Sequence, residues 1–202
     1  MDMKKLLLLL AVLMAGVSGG QAQTAREVLD KCAAVVGNKT GVKVSFSMDS
    51  DRYGAISGTI MLKGEKFCAQ TDEVSMWFDG KTQWTYLKKN DEVSVTNPTD
   101  AQLQAINPYN FINLYKQGYK ESMTTSANAY NVQLTATDSQ RKIQEVQLTI
   151  DKKSSTPTEV KMLQGKNWTT FTISSLQTTK LSDNLFRFNP KDYPQAEVID
   201  LR

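Results

Sequence analysis

The 202-residue chain contains no histidine, which removes the commonest general base and the commonest metal ligand among side chains. It also lacks the glycine-rich phosphate loops and the Gly-x-Ser-x-Gly nucleophile turn that mark nucleotide-binding and hydrolytic sites. The closest carboxylate groupings, Asp49 with Asp51 and Asp72 with Glu73, fall at strand ends or turns, where Asp is favoured for backbone reasons. These absences argue against an enzyme, and they predict no cofactor and no metal. Charge points to no polyanionic partner: 24 basic and 21 acidic residues leave a net +3, and neither sign forms a block. Nucleic acid is therefore not an expected ligand. Cysteine is scarce. Cys32 and Cys68 have no metal-site or Cys-x-x-Cys spacing. An oxidising compartment permits a bridge between them. Two unpaired, buried thiols are the better-supported reading, because Cys68 follows Phe67 in a strand and the two side chains point to opposite faces.

Long apolar runs are missing too, with one exception at the start. Lys4-Lys5 precede the apolar stretch Leu6 to Ala15, and Gly20-Gln21-Ala22 supplies small residues at a cleavage site. This is the layout of a secretory signal peptide, too short for the roughly 20 residues that span a bilayer. Cleavage is expected after Ala22, giving a leader over residues 1–22 and one exported domain over 23–202. No Cys lies at the cut, so no lipid anchor is expected. In a diderm bacterium the destination is the periplasm. Losing Asp2, Lys4 and Lys5 lowers the net charge by one, to about +2.

What is present is a β-rich pattern with a helix at its head. Thr24-Ala25-Arg26-Glu27 has the form of a capping box, and Val28, Leu29, Cys32, Val35 and Val36 share one helical face up to Gly37. From Val42 the period becomes two: Val42, Val44, Phe46 and Met48 alternate with polar residues, as in a half-buried strand. Strands are predicted over about Ala55 to Lys63 and Phe67 to Thr71. The Asp79-Gly80 hairpin supplies two more, and Glu92 to Thr96 follows. Helical turns are expected over Asp100 to Ile106 and, after Asn107-Pro108, through Phe111, Ile112, Leu114 and Tyr115 to Gly118. Strands return at Tyr119 to Thr125, around Tyr130 to Ala136, around Val146 to Ile150, at Glu159 to Leu163 and at Trp168 to Leu176, with a short one holding Phe186 and Phe188. The expected architecture is α+β and mostly β: a large, curved antiparallel sheet with helices across its concave side.

Trp77-Phe78-Asp79-Gly80-Lys81-Thr82-Gln83-Trp84-Thr85-Tyr86 carries more aromatic surface than a hairpin requires. Three uses of that surface are open: plain core, an apolar ligand cavity, or a sugar-stacking platform on a secreted glycan-binding protein. Inward positions at Phe46, Met48, Ile60, Leu62 and Phe67 favour a continuous apolar interior over an exposed strip.

The hairpin Phe78-Asp79-Gly80-Lys81-Thr82-Gln83-Trp84-Thr85-Tyr86 resembles the Asp-Gly-Lys-x-x-Trp-x-Tyr hairpin of the outer-membrane lipoprotein carrier proteins (LolA-like). The order of features is similar as well. An exported helix is followed by Val44-Ser45-Phe46, Gly58-Thr59-Ile60, Lys66-Phe67, the hairpin, a helical insert, and Phe-x-Phe-x-Pro at Phe186 to Pro190. The resemblance implies an unclosed half-barrel with an α-helical lid, and a monomeric carrier that touches membranes only transiently. Such a carrier takes acylated lipoproteins from an inner-membrane release complex and passes them to an outer-membrane acceptor. On that reading the acyl-chain cavity is lined by Val44, Phe46, Met48, Ile60, Leu62, Phe67, Met76, Phe78, Trp84, Tyr86, Phe111, Ile112, Leu114 and Tyr115. Methionines suit such a wall because the thioether adapts to irregular ligands. The family's better-known members carry a lid-holding Arg after the Gly-led strand. Here that turn reads Lys63-Gly64-Glu65-Lys66, so a latch at this position falls to Lys63 or Lys66, each a flexible point charge and not a planar fork. The alternative on the same fold is a periplasmic lipid-binding or sensing module whose cavity is filled by its own helices.

Overall fold

The computed structural model describes residues 23–51, 54–99, 102–103 and 113–202. The predicted leader, Phe111, Ile112 and most of the predicted helical insert lie outside them. Helix α1 spans Ala25–Val36 and starts as its sequence dictates: Thr24 Oγ1 accepts from the Glu27 N–H, and the Glu27 carboxylate accepts from the Thr24 N–H. Its buried residues are Val28, Leu29, Cys32 and Val36.

The twelve strands among the described residues form a single sheet. β1 (Val42–Ser50), β2 (Gly54–Lys63), β3 (Lys66–Thr71), β4 (Val74–Phe78), β5 (Gln83–Leu87) and β6 (Glu92–Thr96) run outward from the centre on one side. β11 (Asn167–Thr178) pairs with the other edge of β1, followed by β10 (Pro157–Gln164), β9 (Glu145–Asp151), β8 (Ala129–Ala136) and β7 (Tyr119–Thr125). β12 (Glu197–Asp200) adds to β6, the one parallel pair. The sheet ends at β12 and β7 and does not close. The Asp79-Gly80 turn forms as expected. Gly80 sits at φ +101°, and Asp79 Oδ1 accepts from the backbone N–H groups of Lys81 and Thr82.

Side chains of one strand alternate between two faces, and on β3 and β4 both faces carry buried apolar residues. The first face lies under α1, where Leu62, Phe67 and Phe78 join the helix residues, with Val132, Leu134, Val146, Ile150 and Met162 from the other wing of the sheet. The second face carries Cys68, Trp77, Val93 and Val95 under Leu181, Phe186 and Phe188. The strand expected around Phe186 and Phe188 is absent. Those residues belong to a strap, residues 179–196, containing two 3-10 turns, Asp183–Phe186 and Pro190–Asp192. Packing against a sheet face that is already fully paired explains the difference, since the strap has no strand edge to join there. It is aligned by Gly41 at φ +125°, where an added Cβ would fall 2.6 Å from Leu181 Cγ. Thr179 and Leu181 donate to the carbonyls of Gly41 and Thr40.

Three charged contacts fasten the strap. Lys63 and Lys66 reach the two oxygens of Asp183 at 2.8 and 2.9 Å, and Arg187 pairs with Asp79 at 2.8 Å. Burial works against the Asp79 charge, but the N–H groups of Thr82 and Lys81 and the Arg187 guanidinium outweigh it and hold its pKa below the usual carboxylate value. The two cysteines are free and lie in different cores, Cys32 under α1 and Cys68 under the strap. Burial pushes the Cys32 thiol up to about 12 and the Cys68 thiol up to about 11.

Two outcomes test this account of the strap. Phe186 is completely buried, so Phe186→Ala should cost about 3–5 kcal/mol, measured as a lower urea midpoint. Hydrogen bonds from Lys63 and then Lys66 hold Asp183 at about 2. A carboxylate with a depressed folded-state pKa stabilises the fold above its unfolded value, near 4, and loses that contribution as pH falls from about 4 to about 2. Tryptophan fluorescence should therefore report the strap loosening across that window, and Asp183→Asn should flatten this limb of the titration.

Candidate functional site

The first face is assembled row by row from strand register. One row runs Leu176, Val44, Ile60, Ala69 and Met76 across β11, β1, β2, β3 and β4. The next runs Val42, Leu62, Phe67 and Phe78 across β1 to β4. Every member is apolar because every member comes from the same parity of its strand, and strands about 4.8 Å apart merge such positions into one continuous wall. Phe67 and Phe78 stack across neighbouring strands with centroids 5.5 Å apart. Helix α1 lies over this wall with its apolar stripe inward.

The wall continues past the helix-packed core. Phe46 and Met48 occupy the same parity of β1 as Val44, opposite Ile173 and Phe171 of β11. Phe46 and Phe171 rings lie 6.2 Å apart, and Phe46, Met48, Phe171 and Ile173 are half-buried. A β-bulge in β11 between these pairs and Val44↔Leu176 keeps both pairs on one face by inserting Ser174. The result is a concave apolar surface whose middle is roofed by α1 and whose flank is partly open.

Of the residues expected to line a cavity, Ile60, Leu62, Phe67, Met76, Phe78, Leu114 and Tyr115 come together around α1. Val44 is buried in the same row, and Phe46 and Met48 form the flank. Trp84 and Tyr86 do not join them. Trp84 pairs opposite Trp77 and Tyr86 opposite Val93, so both belong to the core under the strap. Tyr86 there meets the Tyr193 ring at 4.7 Å and donates to Asp91 at 2.7 Å. The cause is parity: the turn pairs Phe78 with Gln83, so Gln83 and Thr85, and not the aromatic residues between them, face α1. Counting outward from Asp79-Gly80 in the sequence would have revealed this. Lys63 and Lys66, at the β2–β3 turn, are likewise turned to the strap, where both bind Asp183.

A different cluster joins the roof to the rest. Arg26 of α1 donates to the Tyr115 carbonyl at 2.8 Å and pairs with Glu121 of β7 at 2.7 Å. Its guanidinium lies 4.8 Å from the centroid of the Tyr115 ring. The Tyr115 hydroxyl donates to Asp30 of α1 at 2.6 Å. Burial, followed by the Asp30 hydrogen bond, raises the pKa of the Tyr115 phenol well above its ordinary value, so it stays a donor. Tyr115 sits in a 3-10 turn, Leu114–Lys116, directly after the described gap. Sequence reading missed Arg26 and Asp30 because an exposed charge on the polar face of a helix gives no signal until its partner, 85 or more residues away, is placed.

On the opposite face a groove of about 510 Å³ runs beside the strap, lined by Met61, Cys68, Trp77, Leu185, Phe188 and Tyr193 among others. Its one cation, Arg187, is already committed to Asp79. Among the described residues no group of three or more acidic or thiol side chains is placed to hold a metal ion, and no helix is long and apolar enough to cross a membrane.

Among solved structures, an uncharacterized conserved protein from Thermus thermophilus shares the fold with a TM-score of 0.60 at 14% identity, covering 88% of this chain and 99% of that one. A LolA superfamily protein from Nitrosomonas europaea also matches, with a TM-score of 0.44 at 12% identity over 83% of this chain and 99% of that one. No curated protein matches the chain. The sequence profile of the family described as outer membrane lipoprotein carrier protein LolA matches residues 17–166. With most of its length inside that match, and an unclosed sheet roofed by a helix, the chain belongs to the LolA family of outer-membrane lipoprotein carrier proteins.

Proposed function

We propose that this chain is a periplasmic carrier that takes up the acyl chains of lipoproteins against the concave wall and moves them from the inner to the outer membrane. The observation that carries the reading is the wall itself: continuous apolar rows, roofed by the amphipathic helix α1, with a half-buried apolar flank at Phe46, Met48, Phe171 and Ile173. An acyl chain gains about 0.8 kcal/mol per methylene on leaving water, so crossing an aqueous compartment requires a surface of this kind. The family's description supports the same cargo. In the present arrangement Val28, Leu29, Cys32 and Val36 fill the middle of the wall. Cargo enters at the flank and displaces α1, and the Arg26–Tyr115–Asp30–Glu121 cluster is the latch that sets how readily the helix gives way. Arg26 thus takes the role that the resemblance assigned to the β2–β3 turn, where the lysines hold the strap instead. The self-filled alternative shares the wall and differs in one respect: its helix never yields to a ligand.

The protein purified from cells should carry bound lipid or acylated protein, detected by native mass spectrometry. Consistently empty protein that also ignores a fluorescent fatty-acid probe would exclude the carrier reading and leave the self-filled module. Phe46→Asp puts a charge on the half-exposed flank and should weaken probe binding at least tenfold while circular dichroism is unchanged. The two thiols report the latch, since Cys32 lies beneath α1 and Cys68 beneath the strap. Arg26→Ala removes charge-assisted hydrogen bonds and should speed alkylation of Cys32 about tenfold with Cys68 unaffected. Equal acceleration of both thiols would mean general loosening and no latch.

A further inference from the structure

The rows that cross the concave wall change chemistry at β5. Leu176, Val44, Ile60, Ala69 and Met76 lead to Thr85 and Ser94, and Val42, Leu62, Phe67 and Phe78 lead to Gln83 and Thr96. The wall is thus amphipathic along its length: five strands of hydrocarbon, roughly 19 Å from β11 to β4, ending in a patch of two threonines, a serine and an amide. Solvation alone does not explain the patch, because one oxygen in it is shut off from water. Gln83 Nε2 donates to Thr85 Oγ1 at 3.1 Å, whereas Gln83 Oε1 is buried and, among the described residues, is the one buried side-chain polar atom with no hydrogen-bond partner. Buried acceptors are nearly always satisfied, and an unmet one biases an equilibrium by about tenfold or more. A carbonyl oxygen of this kind, at the end of an apolar track, is completed by an incoming donor.

We infer that Gln83 and its threonine neighbours form a head-group subsite that accepts a hydrogen bond from an N–H or O–H at the polar end of an acylated amphiphile. The inference rests on the carrier reading and adds to it a direction: the tail lies along β4 to β11 and the head lies at β5 and β6. Two chemistries supply the donor, the amide N–H of an N-acylated residue and the hydroxyl of an acylglycerol. An acyl ester without a donor fits the track and leaves Gln83 Oε1 unmet. The subsite thereby separates donor-bearing amphiphiles from plain hydrocarbon of equal length, a distinction that the apolar wall cannot make.

The experiment is competition against a fluorescent fatty-acid probe by three ligands with the same sixteen-carbon acyl chain: an N-methyl amide, a monoacylglycerol and a methyl ester. Wild type should bind at least one donor-bearing ligand about tenfold more tightly than the ester, and which one it prefers identifies the source of the donor. Gln83→Met keeps the length of the side chain and removes the acceptor, and it should narrow that preference to within about twofold. Thermal unfolding provides a second readout. Gln83→Met forfeits the Nε2 hydrogen bond to Thr85 but leaves Oε1 no partner to lose, so its Tm without ligand should lie no more than about 4 °C below that of wild type. A fall of more than about 4 °C would show that the amide is already satisfied within the fold, and would overturn the inference. Ester binding with no preference for either donor, or an undiminished preference in Gln83→Met, overturns the subsite and leaves the carrier reading standing. Failure of all three ligands to compete overturns both.

Discussion

One constraint organises the molecule: on β3 and β4, both faces of the sheet are apolar and both must be covered. β3 shows it within two residues, with Phe67 pointing under α1 and Cys68 under the strap, each almost completely buried. A strand buried on both sides loses the hydrophobic-in, polar-out alternation of an ordinary antiparallel sheet. The other wing keeps that alternation: on β8, Val132 and Leu134 are buried while Asn131, Gln133 and Thr135 are exposed. The chain therefore needs two covers on one wing and one on the other. It supplies them from its two ends, the N-terminal helix on the concave side and the C-terminal strap on the outer side. The two covers are fastened differently. The strap is held by a fully buried Phe186, interlocked aromatic rings and three ion pairs. The helix adds to its apolar stripe a polar cluster, half-exposed at Arg26.

The fold was largely legible because its signals are local. A capping box, a change of period from 3.6 to 2, and an Asp-Gly turn flanked by β-formers each depend on a few neighbouring residues, and each appears in the structure where the sequence places it. The site was legible in part. Positions on β1 to β4 follow from alternation, so Val44, Ile60, Leu62, Phe67 and Phe78 were readable as one surface. Trp84 and Tyr86 were assigned to that surface by their size, and parity across the turn places them on the other one. The strap defeats a strand reading for a related reason: Phe186 and Phe188 alternate like strand residues, but what they meet is a face and not an edge. Arg26, Asp30 and Glu121 were beyond local reading altogether, because their meaning lies in contacts between distant segments.

On the proposed carrier reading, the energetics of uptake and release follow from the roof. Four buried helix side chains at about 1.5–3 kcal/mol each represent roughly 6–12 kcal/mol of apolar burial. An acyl chain of about a dozen buried methylenes at about 0.8 kcal/mol each falls in the same range. Helix and cargo compete for one wall with closely matched driving forces, so occupancy is decided by small additional terms and not by the bulk of the hydrophobic effect. Charge-assisted hydrogen bonds at Arg26 and an unmet acceptor at Gln83 are terms of that kind, and they act in opposite directions. The first favours the empty, roofed state, and the second favours a ligand that brings a donor. A carrier that bound cargo by hydrocarbon burial alone, with nothing to displace, would have no route to release it. Here release restores the helix to its wall, and the exchange stays close to balance for that reason.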